Sequence, residues 1–146
     1  MIKLLVRNKV PVYTYVLNTT IEALKFPEWR KYPHDVENYF LTGAPFMDVE
    51  FYPRRARVER NAWTDNDRNM SHFFMKTYTD FARYGNPTVQ QVLGLHFEKA
   101  INGELKYLNL NTTFNSSIYL NYRQTECAFW SEVRYPYNFV TLSVNI

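Results

Sequence analysis

An α/β fold, present here as the closing part of a larger domain, is what this sequence predicts, on three observations. The first is the stretch Thr64 to Pro87, where Met70, Phe73, Phe74, Tyr78, Phe81 and Ala82 recur at steps of three and four residues. That spacing places them on one stripe of an α-helix lying on a core. The second is Val10 to Leu17, VPVYTYVL, which is β-branched and aromatic with both faces apolar. Such a run fits a strand of a parallel sheet covered by helices on both sides. The third is a shortfall. A doubly buried strand needs sheet neighbours and covering helices, and this chain offers few of either.

The totals bound the reading. The chain has 146 residues, room for one domain, and is 46% hydrophobic and 18% aromatic. That excludes a disordered chain and points to a core built on large rings. A net charge of +3 gives no reason to expect nucleic acid as a partner. No apolar run approaches the roughly 20 residues that span a bilayer. The opening MIKLLVRNKV is too short an apolar run for a signal peptide and has no small-residue cleavage site. The expectation is a cytosolic chain, or one whose true start lies elsewhere.

The elements follow in order. Ile2 to Asn8 reads as the last turns of a helix, and Val10 to Leu17 as the buried strand. Asn18 to Pro33 is a loop, His34 to Phe40 a short helix or turn closed by Gly43 and Pro45, and Phe46 to Asn61 is irregular and basic. The long helix carries its own end signals. Thr64 with Asp67 forms a capping box, Asp65 and Asp67 suit the positive end of the helix dipole, Gly85 suits a left-handed C-cap, and Asn86-Pro87 stops the run. A long loop, Thr88 to Phe97, leads to a strand within Glu104 to Leu110, then a polar turn from Asn111 to Ser117. Tyr119 to Val133 reads as a second main helix with Leu120, Cys127 and Trp130 on one side, and the tail after Arg134 has no pattern.

The order of several motifs resembles one family. VYTYVL is followed by His34-Asp35-Val36-Glu37 and Gly43-Ala44-Pro45-Phe46, then FARYGNP, YLNL, Tyr122-Arg123 and Cys127-Ala128-Phe129-Trp130. This order and spacing resemble the C-terminal part of the type-B carboxylesterases and cholinesterases, over roughly residues 5 to 135. The resemblance implies an incomplete α/β-hydrolase fold: the last central strand, the catalytic-histidine loop, two main helices and a short edge strand. It implies residues 1–135 as the family part, with 136–146 a tail of unknown structure. Within the family, NTTIEALKFPEWRKYPHD and TDNDRNMSHFFMKTYTDFARYGNP are most similar to the neuroligin-like, gliotactin-like adhesion branch. Many members there keep the fold and lack the catalytic serine. The resemblance thus implies a non-catalytic adhesion role at the extracellular face of the plasma membrane or a cell junction. It implies a protein partner, and a homodimer through the last helix, with Phe129 and Trp130 as interface anchors or core.

His34 falls at the family's catalytic-histidine position. None of Gly43, Gly85, Gly94 and Gly103 is followed by serine two positions on, so the chain has no G-x-S-x-G elbow. Active esterases of the family usually have glycine after the histidine; this chain has Asp35. The alternative implied by the resemblance is a carboxylic ester hydrolase, with its serine and acid upstream and His34 as general base. Cys127 reads from composition as a small buried thiol or half of a disulfide; the resemblance implies an upstream partner. Asp65, Asp67 and Asn69 resemble the start of a calcium loop, but Met70 and Lys76 stand where an EF-hand needs Gly and Glu, so no metal or cofactor is expected. The arginines from Arg54 to Arg60 read as a solvated run. His72 reads as solvated, and His96 has no ligand at metal spacing. Four sequons, at Asn18, Asn69, Asn111 and Asn115, are candidate glycosylation sites. Asn69 is the one placed in a helix, in its first turn.

Overall fold

The computed structural model describes residues 1–52, 54, 57–115 and 118–134. In order it contains α1 (Ile2–Arg7), β1 (Tyr15–Leu17), α2 (Glu37–Leu41), α3 (Asp65–Tyr84), β2 (Lys106–Leu110), β3 (Ile118–Leu120) and α4 (Gln124–Arg134). Five 3₁₀ turns among the described residues fill the connections. The strands make one sheet in the order β1-β2-β3. β1 pairs parallel with β2, Leu17 opposite Leu110, and β3 pairs antiparallel with β2, Ile118 opposite Leu108.

The end signals of α3 work as the sequence expects. Thr64 caps it, with the Asp67 N–H donating to Thr64 Oγ1 at 3.2 Å and the Thr64 N–H donating to Asp67 Oδ2 at 3.2 Å. Gly85 closes it with φ 65°, its N–H donating to the Phe81 carbonyl at 2.8 Å. Asp67 does more than cap. It is buried, and its two oxygens accept the N–H groups of Glu22 at 3.0 Å and Ala23 at 3.1 Å, far back in the loop after β1. Glu22 returns the contact, accepting from Thr64 Oγ1 at 2.7 Å and Asn66 Nδ2 at 2.9 Å. Loop and helix are thereby latched by charged hydrogen bonds in both directions.

The core lies between α3 and one face of the sheet. Met70, Phe73 and Phe74 of α3 are buried with Ile21, Phe40, Leu95, Leu108 and Leu110. Phe74 is the hub, with ring centroids 5.6 Å from Tyr15, 6.0 Å from Phe40 and 6.1 Å from Phe73. α2 crosses close to α3 at Gly43, which has φ 76°. A Cβ there would meet Met75 Sδ at 3.0 Å, so both the backbone angle and the space favour glycine.

Several expectations are corrected. The strand expected over Val10 to Leu17 is three residues long, and Tyr15, Val16 and Leu17 are only partly buried. Residues alternate across a strand, so Tyr15 and Leu17 pack on the core while Val16 points to the other face. On that other face Tyr107 stacks on Tyr119, centroids 5.7 Å apart, and Tyr122 meets Tyr107 edge-on at 5.3 Å. Among the described residues no helix covers them. KYLNL is the middle strand, not the edge. The edge is β3, which takes residues assigned to the second main helix; α4 begins only at Gln124. The stripe on α3 is buried at Met70, Phe73 and Phe74, but Tyr78 and Phe81 are 42% and 49% exposed. Each is covered on one side only: Tyr78 lies against Phe74, centroids 6.0 Å apart, and Phe81 meets Tyr13 edge-on at 6.2 Å. The tail 136–146 lies outside the described residues.

Two predictions follow from these contacts. Asp67→Ala removes acceptors from three backbone donors, and hydrogen bonds to a charged group contribute about 1.5–3 kcal/mol each. The variant is expected to lose about 3 kcal/mol or more of local stability. Hydrogen exchange of the Glu22, Ala23 and Thr64 amides reads this directly; unchanged protection would contradict it. The second concerns Glu98, which accepts from Lys106 Nζ at 2.6 Å and lies 3.6 Å from His96 Nε2. The hydrogen bond from the Lys106 ammonium holds its carboxyl below the ordinary 4.5. Its folded value is thus below its unfolded one, so its stabilisation is complete above about 4.5 and is lost as pH falls through the folded value. The gap in unfolding midpoint between wild type and Glu98→Gln should close on acidification; a constant gap down to acid pH would contradict this.

Candidate functional site

The candidate site is the loop that leaves the carboxyl end of β1 and returns as α2, because that end of a parallel sheet is where α/β folds gather chemistry. The loop is shaped by 3₁₀ turns at Glu22–Leu24 and Glu28–Arg30 and is held down by Ile21, which is fully buried. It rises to His34 and Asp35 before Val36 turns inward again, 4% exposed. The His34 side chain is 92% exposed, and its polar contact among the described residues is Asp35, whose Oδ1 lies 3.3 Å from Nε2. In a serine–histidine–acid triad Nε2 is the nitrogen that takes the proton from the nucleophile. Here the neighbouring carboxylate sits at that nitrogen.

Asp35 has φ 62°. Left-handed backbone suits glycine and is tolerated by aspartate better than by most residues. The glycine that the resemblance expects after the histidine would suit the same backbone angle. The turn demands a positive φ, and Asp35 meets the demand while adding a charge.

No described hydroxyl or thiol completes a catalytic set. Ser71 is buried in α3 and donates to the Phe40 carbonyl at 2.7 Å; Ser131, on α4, donates to the Cys127 carbonyl at 2.7 Å. Tyr15 and Tyr78 share a hydroxyl–hydroxyl hydrogen bond of 3.0 Å. Burial first, then that bond and the nearby Glu37 carboxylate, push the Tyr15 phenol well above its ordinary value of 10.0. It stays a neutral hydroxyl. Two open grooves, about 440 and 300 Å³, run along α3 past Tyr78, Thr79 and Arg83 and past Lys76, Asp80 and Gln90. Neither includes His34.

Cys127 is exposed on α4. This corrects the small buried thiol read from composition, because α4 packs no face into the core among the described residues. Phe129 and Trp130 are 56% and 63% exposed and meet edge-on, centroids 5.5 Å apart. Asn18 is exposed just beyond β1 and Asn111 lies just beyond β2. Asn69 is the fifth residue of α3, in its second turn and not its first, and is exposed. The sequon of Asn115 runs into residues 116 and 117, outside the described residues, as is Arg55 of the basic run. No helix among the described residues is long and apolar enough to cross a membrane. Sequence reasoning missed the second role of Asp67; its type and position signalled a cap, and nothing local pointed to Glu22.

Comparison with known proteins decides the family. A model of the carboxylesterase family matches residues 1–130. The chain belongs to the carboxylesterase family. The fold of that family is the α/β-hydrolase fold, and the three-stranded sheet with its helices is consistent with part of it. The chain is 30% identical over 118 residues to mouse (Mus musculus) cholinesterase, covering 81% of this chain and 18% of that protein. It is 28% identical over 120 residues to acetylcholinesterase of Bungarus fasciatus, covering 82% and 18%. It is 30% identical over 106 residues to carboxylesterase 3 of Pongo abelii, covering 73% and 17%. The chain thus spans under a fifth of the length of these relatives.

The left-handed turn yields a prediction. Asp35→Gly is expected to change the unfolding midpoint little, within about 0.5 kcal/mol, as for an exposed site without special contacts. Asp35→Val is expected to cost about 1–2 kcal/mol, since a β-branched side chain is strained at this φ. Equal behaviour of the two in thermal unfolding would remove the backbone argument.

Proposed function

We propose that this chain is the C-terminal part of a carboxylesterase-family protein of the neuroligin-like, gliotactin-like adhesion branch, acting by recognition at the cell surface and not by turnover. The observation that carries this reading is Asp35 Oδ1 at 3.3 Å from His34 Nε2. A general base must present that nitrogen to its nucleophile. A carboxylate on the next residue competes for it by favouring the tautomer that carries its proton on Nε2. The exposed Phe129 and Trp130 support the second half of the reading. Large aromatics are favoured anchors of protein interfaces, and on α4 they suit a protein partner or a second copy in the whole protein. In this reading the protein faces the extracellular side of the plasma membrane at a cell junction, and Cys127 pairs with a cysteine earlier in the protein.

A carboxylic ester hydrolase is the second reading. It is favoured by the retained His34 and by the relatives, which carry the names cholinesterase and carboxylesterase. In that case a serine and an acid from the preceding part of the protein meet His34.

One experiment separates the two. The whole protein is purified and treated with a fluorophosphonate serine probe, and ester turnover is compared with that of His34→Ala. The expected result is no label and no turnover above the variant. Cells displaying the protein are then expected to bind cells of its source tissue more than cells displaying an active carboxylesterase do. Stoichiometric labelling, with turnover abolished in His34→Ala, would replace the proposal with the hydrolase.

A further inference from the structure

The sequons at Asn18 and Asn111 lie far apart in the chain but together in the fold. The Asn18 N–H donates to the Leu110 carbonyl at 2.7 Å. Leu17 is opposite Leu110 in the parallel pair, so Asn18 and Asn111 emerge side by side at the carboxyl ends of β1 and β2. Neighbouring strands are only about 4.8 Å apart, so two branched glycans there would crowd each other. The question is which asparagine is used.

The hydroxyls of the sequons differ. At Asn111 the sequon is folded on itself: Thr113 Oγ1 donates to Asn111 Oδ1 at 2.6 Å and the Thr113 N–H donates to the same oxygen at 3.1 Å. Thr113 is exposed and Asn111 partly so. At Asn18 the hydroxyl is turned inward. Thr19 is 7% exposed, and Thr20 Oγ1 is buried without a partner. At Asn69 the sequon hydroxyl belongs to Ser71, fully buried and donating to the Phe40 carbonyl at 2.7 Å within a regular helix. Only at Asn111, among the described sequons, do the acceptor carboxamide and its hydroxyl meet near solvent.

We infer that Asn111 carries an N-linked glycan, in preference to Asn18 and Asn69, and that this glycan stands over the carboxyl rim of the sheet. The inference rests on the proposed cell-surface reading, because the modification requires passage through the secretory lumen. The donor is a lipid-diphosphate-linked oligosaccharide. A bond forms between Asn111 Nδ2 and the anomeric carbon of the first sugar, and the bond from that carbon to the diphosphate oxygen breaks. Nδ2 gives up one proton to solvent, and the lipid diphosphate leaves with the electron pair of the broken bond. Two donors on Oδ1 withdraw density from the carboxamide and make that proton easier to lose. The glycan then covers the end of the parallel pair where open α/β sheets admit ligands, next to the root of the His34 loop. A shielded rim suits a protein that binds partners elsewhere on its surface.

The test is to secrete the whole protein from a eukaryotic cell line and map its glycans. Peptide-N-glycosidase in heavy-oxygen water converts each occupied asparagine to labelled aspartate, read by peptide mass. The expected result is near-complete labelling at position 111, with positions 18 and 69 labelled far less, and loss of one glycan's mass in Asn111→Gln. Mapping the wild type needs no variant to fold. Glycans at other sequons with Asn111 bare, or equal occupancy of Asn18 and Asn111, would overturn the inference and leave the cell-surface reading standing. A protein that stays in the cytosol with no glycan anywhere would overturn both.

Discussion

The described fold depends on one latch between distant pieces of chain. Asp67 and Glu22 are 45 residues apart in sequence, yet each carboxylate takes its hydrogen bonds from the other's segment. Closing so long a loop costs entropy, and apolar contacts alone are non-directional. The carboxylates make the closure specific. Asp67 accepts two consecutive N–H groups, which fixes the 3₁₀ turn Glu22–Leu24 against the first turn of α3. Ile21, immediately before that turn, is thereby driven into the core beside Met70 and Phe74. Asp67 is buried but not stranded, because the helix dipole and three backbone donors replace the water it lost.

The latch explains why the His34 loop leaves the core and comes back where it does. Its first half is pinned at residues 22 and 23, and its second half at Val36 and Phe40, which pack under α3. Phe40 is fixed further by Ser71, which donates to its carbonyl. The segment between the pins bulges into solvent and carries Trp29, Tyr32 and His34 on its exposed side. The scaffold is packed and the candidate residue stands on an exposed crest, which is the usual division between core and loop.

How much of this was legible in the sequence varies with how local the cause is. The ends of α3 were readable because caps, dipole and C-terminal glycine act within a turn. The β-character of VYTYVL was readable, but its length was not. Only Tyr15 to Leu17 find ladder partners, and those partners lie in β2, some 90 residues on. β3 was invisible for a related reason. Ile118 to Leu120 is short and flows into a helical pattern, and only the register opposite Lys106 to Leu108 makes it a strand. Burial was the least legible property. Tyr78, Phe81 and Cys127 have the composition of core residues, and the stripe on α3 continues through the first two. Composition says that a face is apolar; a covering element decides whether it is buried.

His34 and Asp35 show the same limit at the site itself. The histidine was identifiable because motif order placed it. The sequence shows Asp35 as a departure from glycine and as a carboxylate able to perturb the imidazole, but not why the position favours glycine. The backbone supplies the reason: a turn at φ 62° admits glycine most easily and aspartate as a tolerated substitute. The turn has a conformation that a glycine could also fill, and here it is filled by a residue that carries a charge. A carboxylate beside Nε2 separates two things that a triad requires together, a loop that presents the histidine and a free proton acceptor. The recognition reading proposed above needs only the first, since the loop also holds Tyr32 and Trp29 in solvent, and nothing in its packing on Ile21 and Val36 depends on the proton chemistry of the imidazole.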